Sequence, residues 1–215
     1  MHTFIKLPVL HYYALLQRTM LLFLFIFLIN PAAVFSQKGT AALHYTVSIP
    51  QPASHTYDVE LSCSKWNQDT VHLKMPKWMP GYYQIIDYAK SVENMLAKDD
   101  KGKQIDIKKI NDNSWVIAGI KNKSFVVKYT IRTSKQFVAN SYVDSAHAYI
   151  IPENTFLYVD GLLDVPVTVS LSFNPAWKKI ATGLDPVPGK ANEFTAPDFD
   201  ILYDCPILIG NLQEL

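Results

Sequence analysis

The sequence predicts an all-β fold, an antiparallel β-sandwich-like domain behind an N-terminal signal peptide. Three observations lead there. Short runs alternate apolar and polar residues, the period of a strand with one buried face. Proline, glycine and asparagine turns separate these runs at regular spacing. No stretch of about ten residues holds a convincing 3.6-residue period, so no long helix competes.

The strands follow in order. Leu43-His-Tyr-Thr-Val-Ser-Ile49 alternates and is stopped by Pro50 and Pro52. Tyr57–Cys63 alternates again, and Val71–Met75 is a third strand. Ala89–Ala97 fits either a short helix or a strand. Asp99-Asp-Lys-Gly102 is a polar turn before Gln104–Lys108. Ser114–Ala118 and Ser124–Arg132 flank a Gly119–Asn122 turn, which predicts a hairpin. Ala146–Ile151, Thr155–Val159 and Val165–Phe173 continue the pattern, and Asp185-Pro-Val-Pro-Gly189 is an exposed loop. Sandwiches and barrel-like sheets share this signature.

The chain starts differently. Lys6 and Arg18 precede an apolar run, Met20–Ile29, and Val34 and Ser36 suit the small-residue positions of a signal-peptidase site. That run is about half of the roughly 20 residues a membrane helix needs. Residues 1–36 are therefore expected to be a cleaved signal peptide, and residues 37–215 one exported domain, periplasmic or extracellular. A chain of this size folds without staples. Its 19 acidic and 20 basic residues nearly balance, without a charged run. Neither nucleic acid nor, after signal cleavage, a membrane is expected as partner. Export would let Cys63 and Cys205 pair, but both sit in apolar, strand-like contexts, and pairing stays open.

No complete catalytic apparatus is visible. His44, His55, His72 and His147 include no pair one helical turn apart and no His-Glu motif, so no metal site is assigned. His147 sits in Ser141-Tyr-Val-Asp-Ser-Ala-His147, a cluster suited to local hydrogen bonds or to a small ligand. There is no G-x-S-x-G elbow, and eight glycines offer little material for a phosphate loop. Asp198, Asp200 and Asp204 have part of a calcium-loop spacing, without its glycine and terminal Glu. Catalytic residues, metal ligands and cofactors are thus expected to be none.

One stretch stands out: Lys74-Met-Pro-Lys-Trp-Met-Pro-Gly-Tyr-Tyr-Gln-Ile-Ile-Asp-Tyr-Ala-Lys90. Pro76 and Pro80 exclude a helix or a central strand. Pro80-Gly81 suits the centre of a type II turn. Trp78, Tyr82 and Tyr83 are the candidate substrate-cleft or docking residues. Trp78 is expected to fill the core or to form a docking surface. Tyr82 and Tyr83 are expected on opposite sides, with at most one packed inward.

This stretch resembles the P-x-W-x-P-G-x-Y … D-[FY]-A segment in the amino-terminal domain of the glycyl aminopeptidase family of metallopeptidases (peptidase family M sixty-one). Leu43–Val47, His55–Leu61, Asp99–Gly102, Asn113–Trp115, Val126–Ile131, Ser141–Ala148, Thr155–Gly161, Pro175–Trp177 and Ala196–Ile207 are similar to it in the same order. The resemblance implies a β-rich domain preceding a thermolysin-like domain, which carries the zinc site. No zinc ligand or general base of the family has a counterpart here. The chain ends at Asn211–Leu215, about where the catalytic domain would begin, so a fragment is expected.

Two functions follow. The first is a non-catalytic domain that packs on a metallopeptidase catalytic domain and flanks its substrate cleft, exposing an apolar patch of several hundred Å2 where that partner docks. The alternative is a free-standing exported module that binds peptide or glycan through the aromatic turn. An autonomous enzyme is set aside for want of a constellation.

Overall fold

The structure is a computed structural model that describes residues 42–133 and 136–213; the expected signal peptide at 1–36 lies outside the described residues. Sixteen strands follow in chain order: β1 (Ala42–Ile49), β2 (Thr56–Trp66), β3 (Thr70–Lys74), β4 (Val92–Asp99), β5 (Gln104–Ile105), β6 (Ile107–Asn111), β7 (Ser114–Ala118) and β8 (Lys123–Arg132), then β9 (Tyr142–Val143), β10 (His147–Ile150), β11 (Tyr158–Val159), β12 (Val167–Phe173), β13 (Lys179–Thr182), β14 (Asp185–Pro186), β15 (Glu193–Ala196) and β16 (Ile207–Gly210). Among the described residues one short α-helix, α1 (Phe199–Tyr203), precedes β16, and the Asp198 side chain caps it by accepting the Ile201 amide at 2.8 Å. That bond gives Asp198 a structural role.

The strands form an eight-stranded sheet, β14-β15-β12-β1-β2-β8-β4-β5, and two four-stranded sheets, β13-β16-β10-β9 and β11-β3-β7-β6. The result is a mostly antiparallel, sandwich-like all-β fold. One pairing departs from the antiparallel expectation: β1 runs parallel to β12, from Leu43↔Val167 to Ile49↔Phe173. A parallel pair needs a long crossover. Here the β11-β3-β7-β6 sheet and two strands of the other small sheet, β9 and β10, lie between β1 and β12 in the chain, a separation that local alternation cannot reveal.

The predicted hairpin does not form. β7 pairs with β3 and β6, while β8 pairs with β2 and β4. The Gly119–Asn122 turn instead carries the chain from one sheet to the other. Ile120 is fully buried there, and its amide donates to Asp69 O at 3.1 Å. Burying that side chain draws the turn into the core. Ala89–Ala97 resolves as a 3₁₀ turn, Tyr88–Ser91, leading into β4.

Alternation sets the core. Leu43, Tyr45, Val47 and Ile49 of β1, Tyr57, Val59 and Leu61 of β2, and Phe125, Val127, Tyr129 and Ile131 of β8 all point inward. They share one apolar cluster with Leu73, Trp115 and Ile117 of the β3–β7 pair and with Ile207 and Ile209 of β16. The opposite face of the large sheet is polar, with Glu60 and Lys128 ion-paired and Thr130 bonded to Asp58 at 2.8 Å. Cys63 is buried in β2 and Cys205 packs near Gly183; both are free thiols. Burial pushes the Cys63 thiol up to about 12, so it is inert near neutral pH.

Candidate functional site

The aromatic stretch forms the turn its sequence dictates. The Tyr82 amide donates to Met79 O at 3.3 Å across Pro80-Gly81, and Gly81 has φ +79°. That is the type II arrangement, whose third position needs positive φ. The turn is closed behind by Ile86 N donating to Lys77 O at 2.8 Å and by a Trp78–Ile85 bridge. The Tyr203 hydroxyl of α1 donates to Trp78 O and ties the turn to the helix.

The three candidate rings take three environments. Trp78 is 43% exposed, so it is not a core residue; it borders a shallow groove with Pro76, Tyr158, Phe199 and Tyr203. Tyr82 is half-buried and meets Phe137 edge-on at 5.3 Å. Tyr83 is 84% exposed and sits at φ +58°. A bulky residue in the left-handed region is strained by about 1–2 kcal/mol. The turn holds this conformation without burying the ring.

The exposed apolar side chains gather here. Among the described residues Trp78, Tyr83, Ile85, Ile110, Val138 and Ile201 are the exposed large hydrophobics. Trp78, Tyr83 and Ile85 belong to the turn, Ile201 to α1, and Val138 follows the Phe137 that packs on Tyr82. Only Ile110 lies elsewhere, in β6.

Beneath this surface runs a segment that strand patterns do not flag. Ile151–Leu157 is buried throughout, yet it is a loop with one 3₁₀ turn at Pro152–Asn154. A buried loop must find partners for its backbone. Tyrosines from three neighbouring strands supply them. Tyr45 Oη donates to Leu157 O at 2.7 Å. Tyr129 Oη donates to Thr155 O at 2.7 Å and accepts the Leu157 amide at 3.2 Å. Tyr57 Oη lies 2.7 Å from Thr155 Oγ1, which donates to Ile151 O at 2.7 Å, so the tyrosine is the donor. Burial raises the pKa of all three phenols, which stay neutral. Ser141 and Asn154 complete the network: Asn154 Oδ1 accepts the Ser141 amide at 3.1 Å and its Nδ2 donates to Ser91 Oγ at 2.8 Å.

This segment carries Glu153, which no pattern in the sequence singles out. Glu153 is 3% exposed, and its Oε2 is buried without a hydrogen-bond partner. Burial, with Asp204 adding to it, pushes the carboxyl up to about 7. The nearest sequence signal is the inward alternation of Tyr45, Tyr57 and Tyr129, since buried phenols require polar partners. A second buried oxygen without a partner, Asp87 Oδ1, lies just after the turn.

The other sequence candidates are structural. His147 Nε2 lies 3.1 Å from the Tyr142 hydroxyl, and Asp144 Oδ1 accepts the Ala146 and His147 amides. That cluster is satisfied locally. His55 Nδ1 is 2.7 Å from Val143 O, and His44 Nε2 is 3.0 Å from Ser170 Oγ. Among the described residues no group of three or more His, Cys, Asp or Glu is placed to hold a metal.

The exposed aromatic turn and the all-β fold around it do not by themselves name a family; comparison with known proteins does. Residues 44–211 match the family model described as "Peptidase M61 N-terminal domain". The chain belongs to that family. It is also similar to a solved structure, an aminopeptidase N family protein from Idiomarina loihiensis, with a TM-score of 0.73 and 28% identity over 80% of this chain. The chain covers only 30% of that protein's length. No curated protein matches.

Proposed function

We propose that this chain is the non-catalytic amino-terminal domain of an exported metallo-aminopeptidase-like protein. Its aromatic turn and α1 pack on a zinc catalytic domain and flank the substrate cleft. The gathering of Trp78, Tyr83, Ile85, Val138 and Ile201 around one turn carries this reading. Monomeric surfaces scatter such residues, whereas interface cores concentrate aromatics and aliphatics. The length of the Idiomarina loihiensis relative supports a longer whole, since most of that protein lies beyond the part this chain matches. On this reading catalysis belongs to the partner: with zinc added, the purified chain should release no glycine or alanine from peptides.

The test is reconstitution with a separately expressed zinc catalytic domain of the family. The chain should bind it, and Trp78→Ala and Ile201→Asp should each weaken binding at least tenfold, as central anchors do. A Thr130→Ala change on the polar face should leave binding unchanged. Binding that ignores Trp78 and Ile201, or peptidase activity of the chain alone, overturns the proposal. Export is checked separately, by a mature amino terminus at Gln37 in secreted protein.

A further inference from the structure

The polar face of the large sheet carries a cavity of about 360 Å3 that shares no residue with the aromatic turn or α1. Small-molecule sites commonly fall between about 300 and 1,000 Å3. Strand register places the groups of this one. Ser48 of β1, Asp58 of β2 and Thr130 of β8 are cross-strand neighbours in one row. Thr46, Glu60, Lys128 and Leu96 form the next row, on β1, β2, β8 and β4. The residues that alternate with them, such as Val47, Val59 and Tyr129, are buried in the core. Four strands give the floor a span of about 14 Å.

A bulge shapes the β4 side. The pairing of β4 with β8 slips between Glu93 and Leu96, and Asn94 takes φ +54° there. Bulges re-aim side chains out of the regular ladder. At this one Asn94 joins the cavity wall.

The charges on the floor are partly balanced. Lys128 pairs with Glu60 at 2.5 Å, and Thr130 donates to Asp58 Oδ1 at 2.8 Å. The hydroxyls of Thr46 and Ser48 and the amide of Asn94 make no hydrogen bond to other described residues. They are left to bind solvent or a ligand.

These groups select a ligand by elimination. An anion meets two carboxylates. A divalent metal gathers several oxygens within about 2.6 Å. Asp58 and Glu60 stand two residues apart on one strand, about 7 Å, and Lys128 already holds Glu60. A nucleobase gains most from stacking on a ring, and the one aromatic at the cavity, Tyr129, buries its ring in the core. A peptide strand needs a free sheet edge, whereas β1, β2 and β8 are paired on both sides. An organic cation is repelled by the ammonium of Lys128. A neutral saccharide fits. Its hydroxyls both donate and accept, a carboxylate or an amide can hold two adjacent hydroxyls, and half-buried Leu96 offers an apolar patch to a ring face.

We propose that this cavity binds a short neutral oligosaccharide of hexopyranose rings, with Asp58 and Asn94 holding ring hydroxyls and Leu96 beneath a ring face. The site does not depend on what covers the aromatic turn.

The test titrates the full 215-residue chain, 15N-labelled, with cellotriose, maltotriose and mannotriose, and follows the backbone amides by NMR. Trigalacturonate is the anionic control and glucosamine trimer the cationic one. At least one neutral trisaccharide should give saturable shifts centred on β2, β8 and Asn94. Its affinity should be equal in low and high salt, because no ion pair forms. Both charged controls should bind about tenfold more weakly or not at all. Asn94→Gly keeps the positive φ and removes the amide, so it should fold and weaken binding about fivefold. Asp58→Asn should weaken it about tenfold. If Asp58→Asn does not fold, Asn94→Gly decides. No saturable shift with any of the three neutral sugars, shifts centred on the aromatic turn, equal binding of a charged control, affinity that falls with salt, or full binding by either folded variant overturns the proposal.

Discussion

Replacing Glu153 by Gln should change the pH dependence of folding in a way the structure quantifies. The folded-state carboxyl titrates at about 7, against an ordinary 4.5. The folded chain therefore holds a proton that the unfolded chain has released. Protonated Glu153 contributes stability that is fully present below pH 4.5 and is lost as pH rises through 7. The full difference corresponds to about 3 kcal/mol. Gln is neutral at every pH and nearly isosteric, so it removes the titration while keeping the shape. Urea unfolding of both chains at pH 5 and pH 8 gives four free energies. The advantage of Glu153→Gln over the natural chain should grow by about 2–3 kcal/mol from pH 5 to pH 8. Other groups cancel in this comparison. These include Glu93, lowered by its bond to Arg132, and Asp144, lowered by the amides of Ala146 and His147. A difference that does not change with pH would refute the reasoning, because it would mean that Glu153 is hydrated or paired.

Three further outcomes follow from the geometry. Tyr129→Phe strips partners from both Thr155 O and Leu157 N, so it should cost about 2–4 kcal/mol, more than Tyr45→Phe, which strips only Leu157 O; chemical denaturation measures both. Gly210→Ala would place a Cβ 2.9 Å from His147 Cβ and 3.2 Å from Ala146 O, across the β10–β16 pair, and should lower stability by about 1–3 kcal/mol, seen as a lower Tm. Tyr83→Gly should be more stable than Tyr83→Ala by about 1 kcal/mol, since only glycine relieves φ +58° at a side chain that buries little; matched thermal melts test this.

Much of the fold is legible locally. The strands around Leu43–Ile49, Tyr57–Cys63, Val71–Met75 and Ser124–Arg132 form because their alternation is strong and their stops are prolines, glycines and asparagines. The type II turn at Pro80-Gly81 is equally local, since two residues dictate its dihedral angles. Pairing is another matter. The Gly119–Asn122 turn looks like any hairpin turn, and only the burial of Ile120 sends its two strands to different sheets. The parallel β1–β12 register depends on everything folded between them.

The site divides the same way. Trp78, Tyr82 and Tyr83 announce themselves by composition, but their separate environments come from Tyr203, Phe137 and solvent, which lie far away in sequence or outside it. Glu153 is hidden for a sharper reason. A glutamate between Pro152 and Asn154 reads as an exposed turn residue. Its burial comes from three phenols, at positions 45, 57 and 129, that satisfy the loop around it and so allow that loop to enter the core.

The central claim is that the aromatic turn and α1 are a docking face. Hydroxyl-radical footprinting of the chain, alone and mixed with a zinc catalytic domain of the family, tests it most directly. Trp78, Tyr83, Ile85 and Ile201 are exposed in the isolated chain and should lose reactivity in the mixture, while Ile110, exposed on β6, should not. Undiminished reactivity at Trp78 and Ile201, or protection centred on Ile110, would contradict the account.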